Sequence, residues 1–411
     1  MASLKINLNN FFFFGIGLSL LLFSIDHKII YLFRIFDLLI ISLIGLFILT
    51  NPKVKVELLV VFFLIILVLI ISSLLGVIKK GFLNFSRLGF IYKYFFIFFV
   101  PWFIVSVVKT YKQIKLVNRL LLINFIFLSS WAWIYVYIRD IGLIQGSSRP
   151  SFPFGDFRQS DAHLYSSYLS FFLITYLLYF RKFFNHNLLF SLIIVFNSIF
   201  GLLMTGSRTG MLLIFVFLII YGMYMLNNFF KLIFSSQIIL SKKIINKFLK
   251  KTIILIIFII FLDYFFYEFL EDNYSSIIRA LNFNLIDDMS SQDRVEKLMV
   301  SLNEVLYLGM IFGNGLSSNY VWYDGILSIL IAHGGFILIF FIFIFYYLII
   351  KKSYPGFFSW NYLLFIFLCL LYLLANLITE YIMVSRNAFP ILVLLSTLFI
   401  DLSKKKVRLG F

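Results

Sequence analysis

Apolar stretches of about 20 residues recur along the whole chain, and each is long enough to cross a ~30 Å hydrocarbon layer. The stretches are continuous rather than alternating, which excludes a membrane β-barrel and leaves a bundle of α-helices. Spans fall at roughly 9–25, 30–50, 56–78, 88–108, 118–138, 162–180, 187–205, 209–227, 251–270, 324–350, 358–379 and 385–402. That is about 12 spans, and an all-α polytopic membrane protein forming one integral membrane domain over 1–411. With 62% hydrophobic and 13% charged residues, the chain is far from the ~25% charge of soluble domains. The first run, Phe11 to Ile25, has no small-residue cleavage site before Asp26-His27-Lys28 and reads as a retained helix. A single cysteine, Cys369, allows no intrachain disulfide.

Lysine-bearing loops set the orientation. The stretches 109–119, 181–187, 231–251, Lys351-Lys352 and the tail after Ser403 fall on one side, which the positive-inside rule makes cytoplasmic. Both termini share that side, and the basic segment 79–87 is the one loop that runs against the pattern. The net charge of +17 is therefore spent on membrane orientation, and nucleic-acid binding is not expected. Two large loops face outward, 139–161 and 271–323. Within the second, Val295, Leu298, Met299, Leu302, Val305 and Leu306 form one stripe, opened by a capping box of Ser290 and Asp293. This predicts an amphipathic helix that lies on the outer membrane face or roofs a cavity. The glycine-rich stretch 312–319 ends it and leads to the next span.

The two cations divide by side. Of twelve arginines, nine lie in outer loops or at outer helix ends: Arg34, Arg87, Arg139, Arg149, Arg158, Arg208, Arg279, Arg294 and Arg386. Of the lysines, only Lys28, Lys79, Lys80 and Lys297 do. Topology treats both cations alike, so the split needs another cause. Arginine presents a planar fork that grips phosphate through paired bonds and stays charged. Outer arginines thus point to a phosphate-bearing substrate on that face. The plainer alternative pairs them with outer acids such as Asp140, Asp156, Asp161, Glu271, Asp287 and Asp288.

Arg208 stands out. The stretch Thr205-Gly206-Ser207-Arg208-Thr209-Gly210 joins two spans with almost no room, so the guanidinium lies near the helix mouths. The next helix begins there, and its free N–H groups also favour an anion. Snorkelling to the lipid headgroups is the competing reading.

Three segments occur in order: "GLLMTGSRTGMLLIFVFLII", "DRVEKLMVSLNEVLYLGMIFGNGLSSN" and "YDGILSILIAHGGFILIF". Together they resemble the O-antigen ligase and polysaccharide polymerase superfamily of Wzy and WaaL type, over residues 190–340. The upstream "SSRPSFPFGDFRQSDAHLYSSYLS" is a weaker echo of the same family. The resemblance implies a GT-C-like membrane glycosyltransferase in a bacterial plasma membrane, acting on an undecaprenyl-pyrophosphate-linked oligosaccharide. It implies that Arg208 and Arg294 hold the pyrophosphate, with Arg149, Arg158 and Arg386 as further outer arginines. Asp324 falls where ligases typically carry a catalytic histidine, which favours a repeat-unit polymerase for O-antigen or capsule over a ligase. A chain-length regulator and a flippase are the partners such an enzyme works beside.

The chemistry needs no cofactor. Pyrophosphate is already a good leaving group, and arginines beside it stabilise the charge that develops. The acceptor hydroxyl needs a base. Asp324 is the first candidate, Glu380 the second, and Asp156 or Asp161 with His163 the third; helix capping is the alternative role for Asp324. Trp322 and Tyr323 could stack on a sugar, and His163 is a further possible sugar contact, while the remaining tryptophans suit interfacial belts. His333 reads as structural. His27, His163, His186 and His333 show no metal-ligand spacing. A flippase or transporter of lipid-linked sugars is the alternative from another class. It should carry charges within its spans and related halves. Few spans carry interior charge, Lys93 and Asp263 being exceptions, and no internal repeat is visible.

Overall fold

The computed structural model of the chain describes residues 2–23, 28–30, 33–50, 56–81, 89–142, 149–153, 159–219, 292, 296–297, 299–300, 302–303, 311–315, 326–351, 366–372 and 385–408. The regular structure of the described chain is helical apart from a short antiparallel ladder of β1 (Lys28–Ile30) with β2 (Phe33–Arg34). The helices are α1 (Ala2–Leu22), α2 (Ile35–Thr50), α3 (Val56–Lys80), α4 (Gly89–Val107), α5 (Tyr111–Asp140), α6 (Gln159–Thr175) and α7 (Leu188–Thr205). They continue with α8 (Arg208–Ile219), α9 (Ile326–Lys351) and α10 (Ser385–Arg408). A π-helical turn, Tyr176–Phe180, extends α6 to Arg181–Phe183. The predicted span at 251–270 and the Ser290–Asp293 capping box lie outside the described residues.

By length and composition, α5 and α7 are apolar enough to cross a membrane. Shorter apolar helical segments occur at 8–22, 37–50, 63–78, 208–219, 329–344 and 388–400. On α5 the buried face runs through Ile114, Val117, Leu121, Phe125, Leu128 and Ala132. The opposite face carries Leu116, Ile123, Phe127 and Ile134, all exposed. A helix apolar all round suits a protein interior or lipid, and the exposed stripe fits lipid. Phe14 on α1, 70% exposed, and Leu189 on α7, 69% exposed, extend the same outward apolar surface.

One helix starts earlier than its hydropathy suggests. Residues 109–119 read as a cytoplasmic loop, yet α5 begins at Tyr111. Thr110 Oγ1 accepts the Gln113 N–H (3.2 Å), and Gln113 Oε1 accepts the N–H groups of Thr110 (2.9 Å) and Lys109 (2.8 Å). This capping box satisfies the first turn, and Ile114 and Val117 bury one face of it, so the helix extends into a stretch that reads as polar.

Lipid offers little hydrophobic incentive for helices to associate, so close packing and interhelical hydrogen bonds hold such bundles together. α7 lies against α5 and α6, α10 against α4 and α5, and α9 against α3. Asn118 of α5 donates to the Tyr179 hydroxyl (3.1 Å) and accepts from Thr397 Oγ1 of α10 (3.1 Å). Gly201 lets α7 approach closely: a Cβ there would meet Leu169 Cδ1 at 2.8 Å and Ala132 Cβ at 3.4 Å.

α9 is broken. Gly335 takes φ 59°, ψ −161°, a conformation essentially confined to glycine. Residues 311–315, expected on the outer surface, fill the break. The Asn314 N–H donates to Ala332 O (2.7 Å), and Ile311 O accepts the Ile337 N–H (3.2 Å). Ser72 Oγ of α3 donates to Phe312 O. Gly315 (φ 55°) rests on the Ser73 backbone, where any Cβ would overlap it. Asn314 is fully buried. Irregular backbone is tolerated at such depth only when protein surrounds it, as it does here.

Candidate functional site

The turn between α7 and α8 is built by three local devices. Gly206 ends α7 in the left-handed conformation (φ 58°, ψ 21°), and its N–H reaches Leu203 O at 3.0 Å. Thr205 Oγ1 donates to Leu202 O (2.6 Å) and accepts the Ser207 N–H (3.3 Å). Ser207 then precedes α8, and its carbonyl takes the Met211 N–H at 3.5 Å. Only Gly206 and Ser207 separate the two helices, so Arg208 stands in the first turn of α8 and is half-buried. Its neighbours Thr205, Ser207 and Thr209 are buried hydroxyl residues. The early N–H groups of α8 add a positive potential to the guanidinium.

α6 is the plank under this turn. Ser170 Oγ donates to Gly210 O at 2.8 Å, and the Ser166 hydroxyl lies against the Gly210 Cα, where no side chain fits. Tyr165, next to Ser166, donates its hydroxyl to Leu128 O of α5 and lies 3.8 Å from where a Gly201 Cβ would be.

The same plank receives part of the first loop predicted to face outward. Trp131 Nε1 of α5 donates to Ser151 O at 2.8 Å. The Phe152 ring meets Tyr165 edge-on (5.4 Å) and Tyr168 likewise (5.8 Å). Pro150, Ser151, Phe152 and Pro153 are buried, while Arg149 is half-buried. Trp131, expected in an interfacial belt, is 8% exposed and fastens this segment instead. Sequence reasoning missed it because an indole near a span end looks the same whether it meets headgroups or a loop.

Arg149 precedes the 150–153 segment seated on Tyr165 and Tyr168, His163 is half-buried on α6 itself, and Arg208 opens the helix whose Gly210 meets Ser166 and Ser170 of α6. Arg386 lies in the first turn of α10. Asp324, Glu380, Arg294, Arg158, Trp322 and Tyr323 lie outside the described residues, as do Asp156 and the upstream acids of the second loop. One of the arginines predicted outside follows the plainer reading: Arg139 binds its neighbour Asp140 through Nη2 (2.7 Å) and Nε (2.9 Å) to Oδ1. His333 is buried in α9, with Nδ1 3.3 Å from the Tyr94 hydroxyl, in keeping with a packing role. Among the described residues, no group of three His, Cys, Asp or Glu side chains is arranged to hold a metal ion.

Compared with known proteins, the chain matches no family model, no curated protein and no solved structure.

Proposed function

We propose that this chain is a multi-pass plasma-membrane glycosyltransferase with both termini cytoplasmic. In this reading it polymerises undecaprenyl-pyrophosphate-linked oligosaccharide repeat units into O-antigen or capsular polysaccharide on the outer face. The observation that carries the reading is the two-residue turn that sets Arg208 at the start of α8, among buried hydroxyls. The motif order around it, the outward arginine bias and the Arg149 segment seated on the same helix support it.

The step is a glycosyl transfer. A hydroxyl oxygen of the incoming lipid-linked unit attacks the anomeric carbon of the growing chain. The bond from that carbon to the pyrophosphate oxygen breaks, and undecaprenyl pyrophosphate leaves with the electron pair. The hydroxyl proton passes to a carboxylate, Asp324 first and Glu380 second. Arg208 and Arg294 stabilise the developing charge on the departing pyrophosphate, with Arg149, Arg158 and Arg386 around them. Trp322, Tyr323 and His163 are the candidate sugar contacts.

The broken α9 favours a second reading, a transporter of lipid-linked sugars, since discontinuous helices line many transport sites. Purified protein with a synthetic undecaprenyl-pyrophosphate repeat unit separates the two. Release of undecaprenyl pyrophosphate together with doubled and longer glycans is expected of the polymerase. Movement of intact donor across a vesicle without any glycan elongation would replace it with the transporter.

A further inference from the structure

We propose that residues 311–315 and the Gly334-Gly335 break in α9 form a two-position latch. The two backbone groups held by the loop have obvious alternative partners. In a continuous helix the Ile337 N–H would bond to His333 O, and Ala332 O would accept the Phe336 N–H. In the structure Ile311 O and the Asn314 N–H take those places. Docking the loop therefore exchanges two helix hydrogen bonds for two bonds to the loop.

The glycines balance the two positions. Gly335 permits the broken conformation at no steric cost, while two adjacent glycines weaken the straight helix relative to alanine. On the loop side, Gly313 (φ 64°) sits so close that a Cβ would meet Ile331 O at 2.7 Å and Gly335 N at 2.8 Å. α3 completes the docked position through the Ser72 bond to Phe312 O and the seat of Gly315 on Ser73. In the chain the loop lies between Arg294 and Asp324, which the proposed transferase reading assigns to pyrophosphate and to the base, and the latch does not depend on that reading.

Cysteine accessibility tests it without substrate. In a Cys369→Ala background, Asn314→Cys is reacted with a maleimide in purified, detergent-solubilised protein. Asp140→Cys serves as an exposed reference, since the Asp140 side chain is 54% exposed. The docked position predicts modification at 314 at least about tenfold slower than at 140, as expected for a group reached only by local opening. Adding Ser72→Ala removes one bond of the docked state and should raise the rate roughly three- to tenfold. Adding Gly335→Ala, which disfavours the break, should raise it further. Reaction at 314 as fast as at 140 would overturn the latch, as would rates that neither substitution moves. Should Gly335→Ala fail to accumulate, the mild Ser72→Ala decides the matter alone.

Discussion

Gly210 of α8 and Ser166 of α6 meet with no space for a side chain between them, and Ser166 is fully buried. This contact holds the start of α8, and so Arg208, against α6. Gly210→Ala should lower stability by about 1–3 kcal/mol, the usual range for overpacking. Ser166→Ala, which removes the obstructing hydroxyl, should recover part of that loss in the double variant. Thermal unfolding of the purified variants measures both, and simple additivity of the two substitutions would contradict the contact.

Gly206 supplies the left-handed residue that stops α7. Alanine there should cost about 1–2 kcal/mol, and asparagine, which tolerates this conformation, less. The expected order of unfolding temperature is glycine, then asparagine, then alanine. An alanine variant as stable as the parent would mean the turn has other ways to close.

Asn118 bridges Tyr179 and Thr397 in the interior. Asn118→Ala should cost about 1 kcal/mol, between the ~0.6 typical of bonds between membrane helices and the ~1–3 of orphaned buried groups. Denaturant unfolding of the two proteins side by side would show it, and coincident curves would count against a bridging role.

His186, in the turn before α7, has its Nδ1 3.1 Å from the Tyr176 hydroxyl and packs against Phe184 and Phe190. Desolvation in this setting holds its pKa below the ordinary histidine value. The unfolded chain therefore binds this proton more readily than the folded one, and stability rises with pH. The contribution is complete above the unfolded value of about 6.5 and is lost as pH falls through the folded value. His186→Gln should reduce the fall in unfolding temperature between about pH 8 and pH 5.5. An unchanged fall would place the acid sensitivity elsewhere.

Much of the helical plan was legible, because long apolar runs admit few alternatives. The turn at Gly206-Ser207 could also be read, since a glycine between two such runs is a local signal. The break in α9 could not. His333-Gly334-Gly335 sits inside an unbroken apolar run, and the loop that fills it lies about twenty residues earlier and is matched to it only by tertiary hydrogen bonds. Likewise, no periodicity in 149–153 shows that Trp131, Tyr165 and Tyr168 will receive it. At the candidate site, the place of Arg208 just after the Gly206-Ser207 turn was readable from the motif, whereas the support of that turn by α6 required the packing of Gly201 and Gly210.

The most direct test of the transferase account is the glycan ladder of cells whose chromosomal copy carries Arg208→Ala, with membrane levels of the protein verified. Arg208→Lys, which keeps the charge but not the paired donors, is run beside it. A single attached repeat unit with the ladder gone in the alanine variant, and a weakened ladder in the lysine variant, is the predicted result. A full-length ladder in Arg208→Ala would contradict the account and leave Arg208 as a turn residue reaching for the membrane surface.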